Sequence, residues 1–171
     1  MRGCPHIFEG PGAVREKPWR RNAANLASAK CGKSELILSQ RPRARFFCHC
    51  LTCQEVYGLP FADVVIVRSK SVTLEKDSHI EYKNFSPNLA RGVCKGCQRP
   101  VVSILTMAPF LKIAFIPTAN LPATVKKPPS HAHIYYHRCS APVEDDLPKI
   151  SGAAKSNFKI LPHMLWGLMG A

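Results

Sequence analysis

At 171 residues and 46% hydrophobic, the chain can form one domain with a substantial core. Its 15 prolines and 10 glycines exclude an architecture of long helices and favour many turns and short strands. A formal charge of +13 favours anionic partners, either nucleic acid or a small acidic substrate such as a carboxylate-bearing peptide, over a neutral surface.

Residues 1–28 mix Gly, Pro, Arg and Asn without a sustained period and read as an irregular basic extension. Residues 1–45 carry ten Lys/Arg against Glu9, Glu16 and Glu35, a local balance of +7 that also fits a plain solvated surface. Residues 1–30 lack the apolar run of a signal peptide, so a cytoplasmic location is expected, with the nucleus as the alternative. In that setting eight cysteines read as metal ligands rather than disulfides.

Strand-like runs follow at residues 34–39, 45–50, 62–67, 72–74, 79–85, 101–106, 111–116 and 133–137. They are rich in Val, Ile, Phe and Tyr and are separated by Gly, Pro, Asn or Ser, the mainly β pattern. Residues 52–57 fit one helical turn ended by Gly58. Residues 151–171 read as a C-terminal tail; the apolar run at 161–169 is too short to cross a bilayer, so no membrane partner is expected.

The densest chemistry lies at Cys48-His49-Cys50-Leu51-Thr52-Cys53. Residues two apart on a strand share a face, so Cys48 and Cys50 point together while His49 points away. A turn after Cys50 brings Cys53 back to them. Three thiolates can hold zinc and leave its fourth tetrahedral position open, the arrangement of a reactive site. Cys94-Lys95-Gly96-Cys97 is a CxxC knuckle, which serves either a metal or a redox pair; no βαβ setting supports the redox reading. Cys31, followed by Gly32 at the start of a strand, is the natural third ligand for the knuckle.

The order Cys31-Gly32, Cys48-x-Cys50-x-x-Cys53, Gly58-x-Pro60-Phe61, Ser86-Pro87, Arg91-x-x-Cys94-x-x-Cys97 resembles the glutathione-dependent formaldehyde-activating enzyme family, which includes centromere protein V. His133-Ile134 and Leu147-Pro148 are similar to its closing segment, so the resemblance spans about residues 29–150. It implies a mainly β, Mss4-like (β-tent) fold of short antiparallel strands with zinc-binding cysteine loops. It also implies a catalytic zinc on Cys48, Cys50 and Cys53, and a structural zinc on Cys31, Cys94 and Cys97. The family's structural site opens Cys-x-Cys-Gly, whereas this chain has Ala29-Lys30-Cys31-Gly32. One ligand is therefore missing, the metal's contribution to folding should fall, and Cys4, His137 or Cys139 are alternative fourth ligands. Gln98 stands where the family places a glycine.

The implied activity is a carbon–sulfur lyase reaction joining glutathione, or a similar thiol, to formaldehyde or another small aldehyde. Three thiolates leave Zn²⁺ with net charge −1, which favours thiol activation over carbonyl polarisation. Arg91 and Lys70 are candidates to meet a carboxylate, and Tyr57 and Phe61 to line a pocket; for each, a solvated charge or plain core is the competing reading. His131, His133 and His137 read as half-buried strand histidines. The rivals are a non-catalytic zinc-stabilised module for nucleic acid or chromatin, and a degenerate inactive relative. The scattered charge and lack of interleaved aromatics disfavour nucleic acid.

Overall fold

The computed structural model describes residues 26–75 and 79–165, with backbone alone at 84–86. The chain runs β1 (Leu26–Ser28), β2 (Glu35–Leu38), β3 (Ala44–Cys48), α1 (Leu51–Tyr57), β4 (Ala62–Arg68), β5 (Val72–Leu74), β6 (Ile80–Ser86) and β7 (Leu89–Cys94). It continues through β8 (Pro100–Leu105), β9 (Ile113–Pro117), β10 (Ser130–Ile134), β11 (Lys149–Ile150) and α2 (Ala153–Leu165). β1, β2 and β5 form a small sheet. The others form an eight-stranded sheet in the order β11-β10-β3-β4-β9-β8-β7-β6. The mainly β architecture is as expected, except that β10 pairs parallel with both β3 and β11.

Strand alternation sends β4 into two cores. Val65 and Val67 join Leu36, Leu38, Val101 and Ile116 between the sheets. Val64 and Ile66 face the opposite side with Phe46, Leu105, Ile113 and Ile160. A strand covered on both faces is near-continuously apolar, as Val64-Val65-Ile66-Val67 is. Each fully buried aliphatic side chain contributes roughly 1.5–3 kcal/mol relative to exposure.

Several elements depart from expectation. Residues 1–25, including Cys4, lie outside the described residues, but 26–28 of the expected extension form β1 and pair with β2. β7 was not expected, because Arg91 and Gly92 interrupt its apolar pattern. Gly92 is there for close approach: a Cβ would lie 2.9 Å from Ile80 Cγ2 and 3.1 Å from Val102 Cγ1. The strand expected over 133–137 ends at Ile134, where Tyr135 turns to φ 56° and 136–138 make one 3-10 turn. The expected tail forms α2, which buries Ile160 and Ser156. Ser156 Oγ donates to the Gly152 carbonyl at 2.7 Å and accepts from the Tyr135 N–H at 2.8 Å, fixing α2 against the end of β10. Residues 166–171 lie outside the described residues.

Candidate metal centres and the adjoining cavity

Cys48 closes β3, Cys50 caps α1 in extended conformation, and Cys53 lies in the helix's first turn. Strand alternation followed at once by a helical turn is what converges the three sulfurs. α1 starts at Leu51, one residue before the expected turn, and ends as expected at Gly58, whose φ of 60° lets its N–H return to the Gln54 carbonyl.

The sulfurs of Cys48, Cys50 and Cys53 lie within 4.8 Å of one another, as do those of Cys31, Cys94 and Cys97. Tetrahedral zinc with Zn–S bonds near 2.3 Å sets ligand sulfurs about 3.8 Å apart, so both sets fit the ion. Soft, all-thiolate donors also select zinc over magnesium or calcium. The second set joins two turns. Cys31 follows β1, while Cys94 ends β7 and Cys97 lies in the loop to β8; Cys31 and Cys94 Sγ are 3.5 Å apart.

Without metal, each trio shares its protons unevenly. Cys50 is the thiolate, pulled down to about 3 by hydrogen bonds from the Cys48 and Cys53 thiols, with help from the Cys53 N–H and the Arg91 charge. Cys48 is pushed well up because it donates to Cys50 and Cys53 and is buried. At Cys94, burial pushes upward. Hydrogen bonds from the Ser34 hydroxyl, the Cys97 and Gly96 N–H groups and the Cys31 thiol outweigh it and bring the thiol to about 6. Both trios thus contain a sulfur preset as anion, the form that binds metal.

Ala29, where the family resemblance places a further ligand, is 1% exposed in the inter-sheet core. Among the described residues, neither His137 nor Cys139 joins either trio. The His137 Nδ1 instead accepts the Gly152 N–H at 2.9 Å. Gln98 has φ 55°, a left-handed backbone that explains why glycine suits this place after the knuckle.

His49 points away from the sulfurs, as alternation predicts. Its Nε2 lies 2.8 Å from His133 Nδ1, and His133 Nε2 lies 2.8 Å from Asp145. His133 is fully buried rather than half-buried, and His137 lies off the strand. Phe61 packs on His49 and Phe47 behind the trio.

A cavity of about 540 Å³ opens beside Cys48, Cys50 and Cys53. Tyr57 and Arg91 line it, as the sequence allowed; Lys70 is exposed beyond β4 and does not. Sequence reasoning missed most of the wall: Leu89, Leu105, Phe110 and Leu111 from around β7 to β9, and Ile160, Leu161 and Met164 from α2. One signal was available for α2. Ile160, Leu161, Met164 and Leu165 repeat at helical spacing and form one apolar stripe.

Fold and geometry together define a mainly β protein with two three-cysteine clusters suited to zinc, one of them open to a cavity. The model of the glutathione-dependent formaldehyde-activating enzyme family matches residues 26–138, and the chain belongs to that family. A crystal structure of a Rhodobacter sphaeroides protein aligns with 16% identity and a TM-score of 0.48, covering 57% of this chain and 88% of that one. No curated protein matches the chain in sequence. No helix among the described residues is long and apolar enough to cross a membrane.

Proposed function

We propose that the chain joins a thiol to formaldehyde or another small aldehyde at the Cys48, Cys50 and Cys53 site, with Cys31, Cys94 and Cys97 holding a structural zinc. The observation that carries this reading is that three mutually close sulfurs open onto a small-molecule-sized cavity. Family membership supports the same chemistry. Zinc on the three thiolates would favour a substrate thiol as its anion at neutral pH.

The chain's own groups supply the rest. Cys48, Cys50 and Cys53 would hold the metal, and β3 and α1 keep them in register. Arg91, 3% exposed, places a positive charge near Cys50 and Cys53 and favours negative charge on substrate sulfur or carboxylate. The wall excludes water and brings the two reactants together. In the reaction the sulfur pair forms a bond to the carbonyl carbon, and the C=O π pair moves to oxygen. The thiol's proton ends on that oxygen, giving a hydroxymethyl thioether with no leaving group.

Turnover of glutathione and formaldehyde by the zinc-loaded protein, followed by NMR of the hydroxymethyl carbon, tests the assignment. Cys50→Ser should lose the acceleration while keeping the wild-type circular dichroism spectrum. Full turnover in that variant would overturn the catalytic role.

A further inference from the structure

We propose that the Tyr57 hydroxyl is the hydrogen-bond donor for the aldehyde oxygen, on which negative charge grows as the carbon–sulfur bond forms. The inference rests on the reading of Cys48, Cys50 and Cys53 as the reacting site, and it adds a catalytic residue to that site.

Tyr57 is 7% exposed and packs in one core cluster with Cys48 and Cys53. A buried tyrosine hydroxyl nearly always has a partner, because an unsatisfied O–H loses its hydration without compensation. Here the Tyr57 carbonyl accepts from Arg99 at 3.1 Å, but among the described residues the hydroxyl makes no hydrogen bond. The hydroxyl is also absent from the polar atoms that are closed off from solvent without a partner, so it reaches open space. The space that Tyr57 borders is the cavity beside the three sulfurs. A donor presented to that cavity with no protein acceptor calls for an acceptor on the ligand.

Helical register sets where the side chain points. Tyr57 follows Cys53 by four residues on α1, so the two share a face, about 40° apart around the axis. The hydroxyl also feels the charges of Cys53 and Cys48, and that of Arg91. It therefore sits near the sulfurs, where a carbonyl must lie to be attacked. The other polar groups on the wall are placed for different work. The Tyr135 hydroxyl is committed to Asn157 at 2.6 Å. Thr52, next to Cys53, lies about 100° round the helix from it. Asn88 and Ser103 reach the cavity from the turn before β7 and from β8, and suit the amides and carboxylates of glutathione.

In the step itself the thiol sulfur's electron pair forms the bond to carbon, and the C=O π pair moves onto oxygen. The Tyr57 O–H donates to that oxygen as its charge grows and keeps its own proton. The thiol's proton ends on the same oxygen, giving the hydroxymethyl thioether. A fixed donor aimed at developing charge in a dry site stabilises the transition state more than the ground state.

Turnover of glutathione and formaldehyde by full-length, zinc-loaded Tyr57→Phe gives the first readout. Its kcat should fall roughly 10²-fold, with the glutathione KM, zinc content and melting temperature unchanged. The second readout needs no turnover. In protein carrying ¹³C at tyrosine Cζ, the Tyr57 resonance is identified by its loss in Tyr57→Phe. It should move on addition of S-(hydroxymethyl)glutathione preformed from its two components. It should stay in place with S-methylglutathione, which has the thioether but not the oxygen.

A kcat within threefold of wild type overturns the proposal. So does a loss of zinc or melting temperature that parallels the loss of kcat, or a Cζ resonance that responds equally, or not at all, to the two thioethers. Wild-type turnover combined with any of these results defeats this inference alone. Absence of wild-type turnover defeats the catalytic reading, and a shift specific to the hydroxymethyl thioether would still assign its oxygen to Tyr57.

Discussion

The imidazoles of His49 and His133 meet at 2.8 Å, Nε2 to Nδ1, inside the protein. Their protonation follows from the next link. His133 Nε2 faces a carboxylate oxygen of Asp145 at 2.8 Å and must carry a proton to donate there. In neutral His133 the Nδ1 then accepts, so His49 donates from Nε2, and its buried Nδ1 has no hydrogen-bond partner. The chain of three side chains ties the residue just after β3, between Cys48 and Cys50, to β10 and to the segment before β11. His133→Leu should strand the His49 N–H in an apolar interior and cost about 1–3 kcal/mol, read as a lowered urea midpoint.

The Asp145 carboxyl is pulled from the usual 3.8 to about 2, first by the His133 hydrogen bond and then by Lys149. A lowered native value means the unfolded chain takes up its proton first. The stabilisation is therefore complete above pH 3.8 and is lost as pH falls through 2. Asp145→Asn should flatten the acid limb of the stability profile in that window; an unchanged limb would show that the contact contributes nothing.

A second acid effect comes from histidines. His163 of α2 meets His131 edge to face, ring centres 4.5 Å apart, with Arg41, Arg43 and Arg68 around the cleft that His163 lines and Lys159 on its own helix. Burial, then the charges of His131 and Lys159, lower its proton affinity. Burial also brings His49 down to about 4. Both favour the neutral form in the native state, so stability should decline as pH falls below about 6.5. His163→Gln should shallow that decline, leaving the part due to His49.

Gln98 holds φ 55° in an exposed loop, where its amide accepts a hydrogen bond from Lys83 at 3.0 Å and donates one to the Lys95 carbonyl at 3.2 Å. Relief of the left-handed backbone by Gln98→Gly should stabilise by about 1 kcal/mol. The two exposed hydrogen bonds offset little of it. The melting temperature should rise by roughly 2–4 °C.

Ala29→Cys should restore a fourth thiolate beside Cys31, Cys94 and Cys97 and tighten zinc there. Competition with a chromophoric chelator reads the change, and Ala29→Ser, of nearly the same volume, controls for packing. Equal zinc affinity in all three proteins would contradict a structural zinc at this position.

The site was legible where chemistry was written in short spacings. Cys48-x-Cys50-x-x-Cys53 needs only one strand alternation and one helical turn, and Cys94-x-x-Cys97 only one knuckle. β4 was legible because four consecutive β-branched residues admit few other readings. β7 was hidden because Gly92 answers to Ile80 and Val102, neighbours that only the folded sheet supplies. The cavity was hidden for the same reason: Leu89, Phe110 and Ile160 are far apart in sequence and meet only through the sheet and α2. His133 looked half-buried because nothing local reveals that β3 and β11 flank its strand on both sides.

The central claim is that Cys48, Cys50 and Cys53 hold zinc beside the cavity. Zinc content per chain, measured on purified wild type, Cys50→Ser and Cys94→Ser at matched concentration, tests it most directly. The account predicts that Cys50→Ser loses one equivalent relative to wild type and that turnover disappears with it, whereas Cys94→Ser, depleted at the other cluster, keeps the metal at this one. Zinc content in Cys50→Ser equal to wild type would contradict it.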